Sequence, residues 1–450
     1  MPECAPFRTR RPPRLRLAIL LGVIVAVSKA TPDGQTERLA APTLIVLTLF
    51  IFVNYLDRYA LSVLLEPIKQ ELALSDTQIG LLTGAAFALL YSTIAIPVAR
   101  IAEHGNRTYV MCAAITLWSA GTALCGLAGG FAGLFVARMI VGSAESGALA
   151  PAHAMIGDRY AIEGRGTALA IFSTGGALGT ALAPLVGGYL EGLFGWRGAF
   201  FVMGAIGIPV AVALVLIVHD APHSGARWVP PPPSLKVTLR RLWRRRSFAL
   251  LVPAMTFLGL GDYSLFLWLP SYLSRMFSST PAEVGAQLTI FQGLPLFAGT
   301  FFGGLVADRL VRRDRRWLVR LPAIACAVVA GGSGLLLFAT SSSIALMLLI
   351  LPSLACGLYL APSYAAIQAL AGSRSRATAT ATLTFAVNLV GLGLGPVLIG
   401  GTSDLLKAWA GSDSLRYAFF IIPPLYFCAA ALFLIAARSI SRDIAEAETE

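Results

Sequence analysis

Charge is scarce in this sequence. Asp, Glu, Lys and Arg together make up 13% of its 450 residues, against about 25% in ordinary soluble domains. Chemistry-bearing motifs are scarcer still. No Walker A loop is present and no dinucleotide fingerprint follows a strand, so ATP hydrolysis inside this chain is excluded as an energy source. The six cysteines, at positions 4, 112, 125, 326, 356 and 428, show neither metal-ligand spacing nor a disulfide framework. They read as small buried filler. No nucleophile–base pair and no metal cluster stands out, which argues against an enzyme. The sequence asks for no cofactor and no metal.

What it has in abundance is apolar surface. Hydrophobic residues account for 56% of the chain and the mean hydropathy is +0.74. A soluble core cannot hide that much, so most of it must face lipid or another helix. Apolar stretches long enough to span a bilayer fall at 42–65, 79–101, 108–128, 131–156, 166–190 and 198–218, then at 248–272, 284–307, 317–339, 343–370, 377–400 and 416–437. Glycine and alanine recur within them, as close helix packing requires. Pro295 is expected to open the eighth span locally.

The net charge of +12 raises nucleic acid as a partner, but its distribution excludes that. The basic residues sit in short loops: Arg100 and Arg107, Arg159 and Arg165, Arg309 to Arg316, Arg374 and Arg376. The alternate loops are nearly empty or acidic. This asymmetry is a topology signal and places the arginine-bearing loops in the cytoplasm, with both termini and the central stretch, most simply in a bacterial inner membrane. The division expected is a cytoplasmic extension over 1–41, a six-helix bundle over 42–218, a basic linker over 219–247, a second bundle over 248–437 and a tail over 438–450. The linker carries Pro230 to Pro233 and a run from Arg240 to Arg246. It reads as positive-inside anchoring or as a short amphipathic helix on anionic headgroups. Near the start, arginines between Arg8 and Arg16 precede an apolar run from Leu17 to Ser28 that is too short to span and resembles a signal-peptide core. A cleaved signal contradicts the loop charges, so a cytoplasmic extension or an early start site is expected.

The two halves repeat. Asp57 matches Asp262 and Ala102-Glu103-His104 matches Ala307-Asp308-Arg309, both at an offset of 205. Arg165-Gly166-Thr167-Ala168 matches Arg376-Ala377-Thr378-Ala379 at 211, and Pro184 matches Pro396 at 212. Four matches in order, with a slowly drifting offset, indicate a duplicated six-helix unit. Such repeats place a substrate site between the halves near the bilayer midplane.

Gly304-x-x-Ala307-Asp308-Arg309 with Arg313 resembles the loop signature of the major facilitator superfamily. The earlier copy departs from it at Ala99, Glu103 and His104. Gly175, Gly179, Pro184, Gly187 and Gly188, followed by Trp196-Arg197, resemble the signature of its fifth helix. Asn54-Tyr55-Leu56-Asp57-Arg58, Glu66-Pro67-Ile68-Lys69 and Leu74-Ser75-Asp76-Thr77-Gln78-Ile79-Gly80 resemble the spinster branch. Arg138, Gly142, Glu145, Gly147 and Pro151 continue that match, which fades in the second half. The resemblance implies an all-α membrane protein of twelve spans in two pseudo-symmetric bundles. It also implies transport of lysophospholipids or sphingoid lipids, with proton coupling as proposed for bacterial members. Glu103, Arg107, Asp308, Arg309 and Arg313 would then be gating residues, with a softer gate on the N-terminal side.

Charges at membrane depth are costly, at least about 2.5–3.5 kcal/mol each on insertion scales, and the N-terminal half holds nearly all of them. Asp57 is the first candidate for proton coupling. An apolar site favours a neutral acid and a nearby arginine favours a carboxylate, so moving Asp57 relative to Arg58 or Arg138 switches its protonation. A fixed salt bridge between the first and fourth spans is the alternative. Glu145 is the second candidate. It shares a helix face with Arg138, seven residues away, and the two are expected to act as one unit. His153 lies roughly on the same face and reads as a hydrogen-bonded helix residue. Arg58 and Arg138 are candidates for an anionic substrate head. Asp262 is a lone acid, suited either to a cationic group or to neutral burial. Tyr263, Phe266, Trp268 and Tyr272 on the seventh span, and Phe291, Phe297 and Phe301 on the eighth, supply an apolar wall or simple packing. The reading is a monomeric secondary transporter of an amphipathic substrate, in contact with membrane lipids and driven by protons. A proton-coupled carrier of a small organic anion or drug is the runner-up, and a non-transporting receptor is the alternative class.

Overall fold

A computed structural model describes residues 34–160, 162–220 and 235–449; these are almost wholly helical and contain no strand. The segment Arg8 to Ser28 and the prolines Pro230 to Pro233 lie outside the described residues. Among the described residues, ten continuous helices are long and apolar enough to cross a membrane. Two of these are double: Gly164–Ile217 turns at Gly195, with φ of 66°, and Thr378–Ala436 turns at Gly411, with φ of 56°. Both glycines take a left-handed backbone that a side chain would strain. Twelve spans result: α1 Ala40–Glu71, α2 Asp76–His104, α3 Arg107–Leu127, α4 Phe131–Arg159, α5 164–194, α6 196–217, α7 Arg246–Phe277, α8 Pro281–Val311, α9 Trp317–Leu336, α10 Ser342–Gly372, α11 378–410 and α12 414–436. They form an all-α membrane protein of two six-helix bundles.

Several helices run past the apolar stretches that announce them. The first apolar stretch is 42–65, yet its helix is continuous over Gly34–Glu71. Hydropathy marks only the part in hydrocarbon, whereas backbone hydrogen bonding carries the helix on through the headgroup region. A π-turn over Thr289–Gly293 precedes Pro295 in α8, and a second occupies Val387–Leu392 in α11. The first lies where the proline removes a backbone donor from the ladder.

Odd-numbered spans start at the arginine-bearing end and even-numbered spans return to it, so every basic loop shares one face, here called the basic end. The linker helix Leu235–Arg244 lies at that face, with Leu242 buried and Leu235, Val237 and Trp243 exposed. Glycine sets how closely the spans approach. Within the first bundle, α5 lies on α1 so tightly that a Cβ on Gly175 would sit 2.3 Å from Thr48 O, and one on Gly179 2.5 Å from Phe52 O. Two similar seams join the bundles. In the α5–α8 seam, a Cβ on Gly188 would meet Pro281 O at 2.3 Å and one on Gly285 would meet Pro184 O at 2.1 Å. In the α2–α11 seam, a Cβ on Gly80 would meet Pro396 O at 2.5 Å and one on Gly400 would meet Asp76 O at 2.1 Å. Both seams lie away from the basic end.

Candidate functional site

The deep charges of the first bundle gather around Arg58. Its guanidinium donates from Nε (2.9 Å) and Nη2 (2.6 Å) to Glu145 Oε2. It also lies over the rings of Tyr55, Phe87 and Tyr91, 4.8 to 5.2 Å from their centroids. Arg58 is 7% exposed and Glu145 1%, so an α1–α4 ion pair is held in an aromatic box. Ion pairing and cation–π contact together offset part of the desolvation that burial imposes.

Arg138 is not the hydrogen-bonded partner of Glu145. It lies over Phe87 at 5.2 Å, and its buried Nε has no hydrogen-bond partner. Seven residues of helix place two side chains on one face but about 10 Å apart along the axis, too far for direct contact, and Arg58 fills the gap from α1. Asp57, 5% exposed, accepts a hydrogen bond from Thr122 Oγ1 of α3 at 2.7 Å and makes no ion pair among the described residues. The alternative of a fixed salt bridge between the first and fourth spans therefore applies to Arg58 and Glu145, not to Asp57. His153 is exposed, its ring edge-on to Phe172 at 5.3 Å.

Across the interface, α7 presents Asp262, Tyr263 and Phe266. Tyr263 Oη donates to Asn388 Oδ1 in the π-turn of α11 at 3.3 Å. Phe266 packs on Tyr59 of α1 with ring centroids 6.3 Å apart, an aromatic contact that joins the bundles beside the charge cluster. Trp268 and Tyr272 are fully buried and serve packing.

The end opposite the basic loops is latched by contacts that sequence reasoning missed. Arg275, at the end of α7, donates to Glu66 Oε1 at 2.8 Å and to both carboxylate oxygens of Asp76 at 2.9 and 2.7 Å. Asp76 also binds Lys69 and accepts from Ser403 Oγ at 2.7 Å. Asp404 of α11 caps the start of α2, accepting from the backbone of Asp76 at 3.1 Å and of Thr77 at 2.7 Å. An acid there satisfies orphan amides and meets the positive end of the helix dipole. The signal was available: Arg275 is an arginine at the end where arginines are scarce.

Every side-chain hydrogen bond and ion pair joining the two bundles among the described residues lies at this latched end. At the basic end Arg107 pairs with Asp158 at 2.5 Å, and its backbone amide donates to Asp220 at 2.7 Å. Neither contact reaches the second bundle. Glu103, Asp308, Arg309 and Arg313 are exposed and make no ion pair among the described residues. None of the gating candidates thus reaches across the interface among the described residues, and one end of the interface is latched while the other is not.

Comparison with known proteins follows the same lines. Residues 47–391 match the Major Facilitator Superfamily. An "MFS-type efflux pump" of Mycolicibacterium smegmatis is 33% identical, covering 94% of this chain and 98% of that protein. Protein spinster homolog 1 of Rattus norvegicus is 28% identical over 65% of this chain and 58% of its own length. A crystal structure of a bacterial homolog of the human lysosomal transporter spinster, described as inward-facing and unoccupied, superposes with a TM-score of 0.80. The two are 27% identical, and the match covers 92% of this chain and 99% of that one.

Proposed function

The chain belongs to the Major Facilitator Superfamily, in its spinster-like branch, and from that premise we propose that it moves a single-chain amphiphile by proton-coupled alternating access. A superfamily member is a transporter rather than an enzyme. The observation that carries the reading is the contrast between the ends: among the described residues, ion pairs join the first bundle to the second at one end and not at the other, with intramembrane charges between them. Alternating access needs such a latch, broken and remade as the bundles rock. The positive-inside rule makes the basic end cytoplasmic, so this is an inward-open state.

Asp57 carries the coupling proton in this account. It is a buried acid bonded to a hydroxyl, beside an arginine already committed to Glu145. Glu145 is the second coupling candidate, because its link to Arg58 breaks if α1 and α4 shift. The unpartnered Nε of Arg138 suits an anionic head. Tyr263 and Phe266 form the apolar wall, and Glu103, Arg107, Asp308, Arg309 and Arg313 engage when the cytoplasmic side closes. The apolar wall of the second bundle offers few donors for a sugar or a dicarboxylate, whereas an acyl tail needs none.

The test is flux into proteoliposomes of a lysolipid, a sugar, a dicarboxylate and a cationic drug, with and without a pH gradient. Gradient-stimulated lysolipid flux is the expected result. A second reading, a proton-coupled carrier of a small anion or drug, draws on the efflux-pump name of the relative that matches along 94% of this chain. Flux of drug or anion alone would select it. Ligand binding without any flux would select a receptor.

A further inference from the structure

The acid of the second bundle lacks a cation. Asp262 lies mid-span in α7. Tyr359 Oη of α10 is 2.5 Å from both of its carboxylate oxygens, and Tyr426 Oη of α12 is 2.5 Å from Oδ1. Cys356 Sγ approaches Oδ1 at 3.9 Å. Phenol hydroxyls aimed at a carboxyl from two helices make a cradle for an acceptor-only carboxylate. The cradle is built into the packing. Tyr359 is 2% exposed and Tyr426 0%. Position 261 is glycine, where a Cβ would lie 2.7 Å from the Tyr426 ring and push it away from the acid.

No lysine or arginine pairs with Asp262 among the described residues. The basic residues nearest in its own helix, Arg246 and Arg275, stand at the two ends of α7, and Arg275 is committed to Glu66 and Asp76. A carboxylate at this depth calls for a positive partner. Asp262 is only half-buried. One turn further toward the latched end, Phe266 closes on Tyr59 of α1. The acid therefore sits on the cytoplasm-facing side of the aromatic contact, where the interface is unlatched. Tyr359 and Tyr426 bring aromatic rings to it and Phe266 lies one turn on along the same helix face, a setting that suits a weakly hydrated organic cation better than a strongly hydrated metal ion.

We propose that Asp262, Tyr359 and Tyr426 form a subsite for a positively charged nitrogen, primary or quaternary, carried by the transported molecule. The proposal rests on the amphiphile reading for the chain attached to that nitrogen. It assigns recognition of positive charge to the second bundle, leaving Arg138 and the Arg58–Glu145 pair in the first. A purely structural tie between α7, α10 and α12 accounts for the hydrogen bonds but predicts no charge selectivity.

The experiment compares decylammonium, decyltrimethylammonium, decanol and tetramethylammonium binding to purified protein in nanodiscs of zwitterionic lipid at neutral pH, with empty nanodiscs subtracted. Wild type should bind the two decyl cations at least about tenfold more tightly than decanol, the size of one charge-assisted contact. Asp262→Asn should bring the three decyl probes within about twofold of one another, the scatter expected once that contact is gone, while the dependence on chain length, read as decyltrimethylammonium against tetramethylammonium, persists. If Asp262→Asn does not fold, Tyr359→Phe with Tyr426→Phe should narrow the preference several-fold. Tetramethylammonium binding as tightly as its decyl analogue would assign the subsite to a free organic cation, and weaker binding to a chain-bearing one. Equal wild-type affinity for cation and alcohol would overturn the proposal, as would a preference that survives Asp262→Asn or the double phenylalanine variant. Loss of chain-length dependence with charge selectivity intact would refute the amphiphile reading alone.

Discussion

Arg275→Met should release the latch opposite the basic end. In the latched state the arginine joins two acids of the first bundle, and the side chain of Asp76 is only 3% exposed. Removing one partner of a buried ion pair costs about 3–5 kcal/mol, because the charge left behind is uncompensated. Here the lower end applies. Arg275 is itself 17% exposed, and Asp76 keeps Lys69 and Ser403. Once the latch opens these groups face water and lose little, so about 3 kcal/mol falls on one side of the equilibrium. At about 1.4 kcal/mol per decade, the ratio of latched to unlatched molecules drops about a hundredfold. Spin labels at Gln70 and Thr280, one on each bundle, report the change by pulsed dipolar spectroscopy in a background without native cysteines. The distance distribution should shift to longer values in the variant, and Arg275→Lys should fall between, keeping the charge but losing the bidentate fork. A well-folded Arg275→Met protein with the wild-type distribution would show that these contacts do not hold the end closed.

Asp57→Asn should abolish pH-gradient-driven flux yet retain binding and exchange, because the amide mimics the protonated acid but cannot release a proton; undiminished gradient-driven flux in a well-expressed variant would remove Asp57 from the coupling path. Arg58→Met and Glu145→Gln should each destabilise by about 3–5 kcal/mol, with a double variant impaired less than their sum. Strict additivity in thermal unfolding would deny the pair, and Arg138→Met should couple to Glu145 more weakly than Arg58→Met does. Gly285→Leu should force α5 and α8 apart, since even a Cβ meets Pro184 O at 2.1 Å; the same label pair should then report an opened end, and an unchanged distribution would mean the seam has slack.

The fold was legible because its signals are local or periodic. Twenty-residue apolar stretches, arginine-bearing loops and the repeat of Asp57 at Asp262 each need only short windows or one offset. The site was legible as a set of residues but not as a set of contacts. Asp57, Arg58, Arg138, Glu145 and Asp262 stand out because charge is rare at membrane depth. Helical periodicity linked Arg138 to Glu145, since spacing reports a shared face and not the axial distance, and nothing in one span shows that Arg58 arrives from another. The latch was hidden for the same reason: Arg275 is 199 residues from Asp76, and Asp404 is 328. Tyr359 and Tyr426 carry no signal in the sequence, because only their meeting at Asp262 gives the hydroxyls a purpose.

The most direct test of amphiphile transport is a binding titration of the protein in nanodiscs against lysolipids of increasing chain length, beside a sugar and a dicarboxylate. Each added methylene buried in the apolar slot should tighten binding by up to about 0.8 kcal/mol, close to fourfold in Kd, until the slot is full. The sugar and the dicarboxylate should not saturate. Affinity that ignores chain length, with saturable binding of the small anion, would contradict the account.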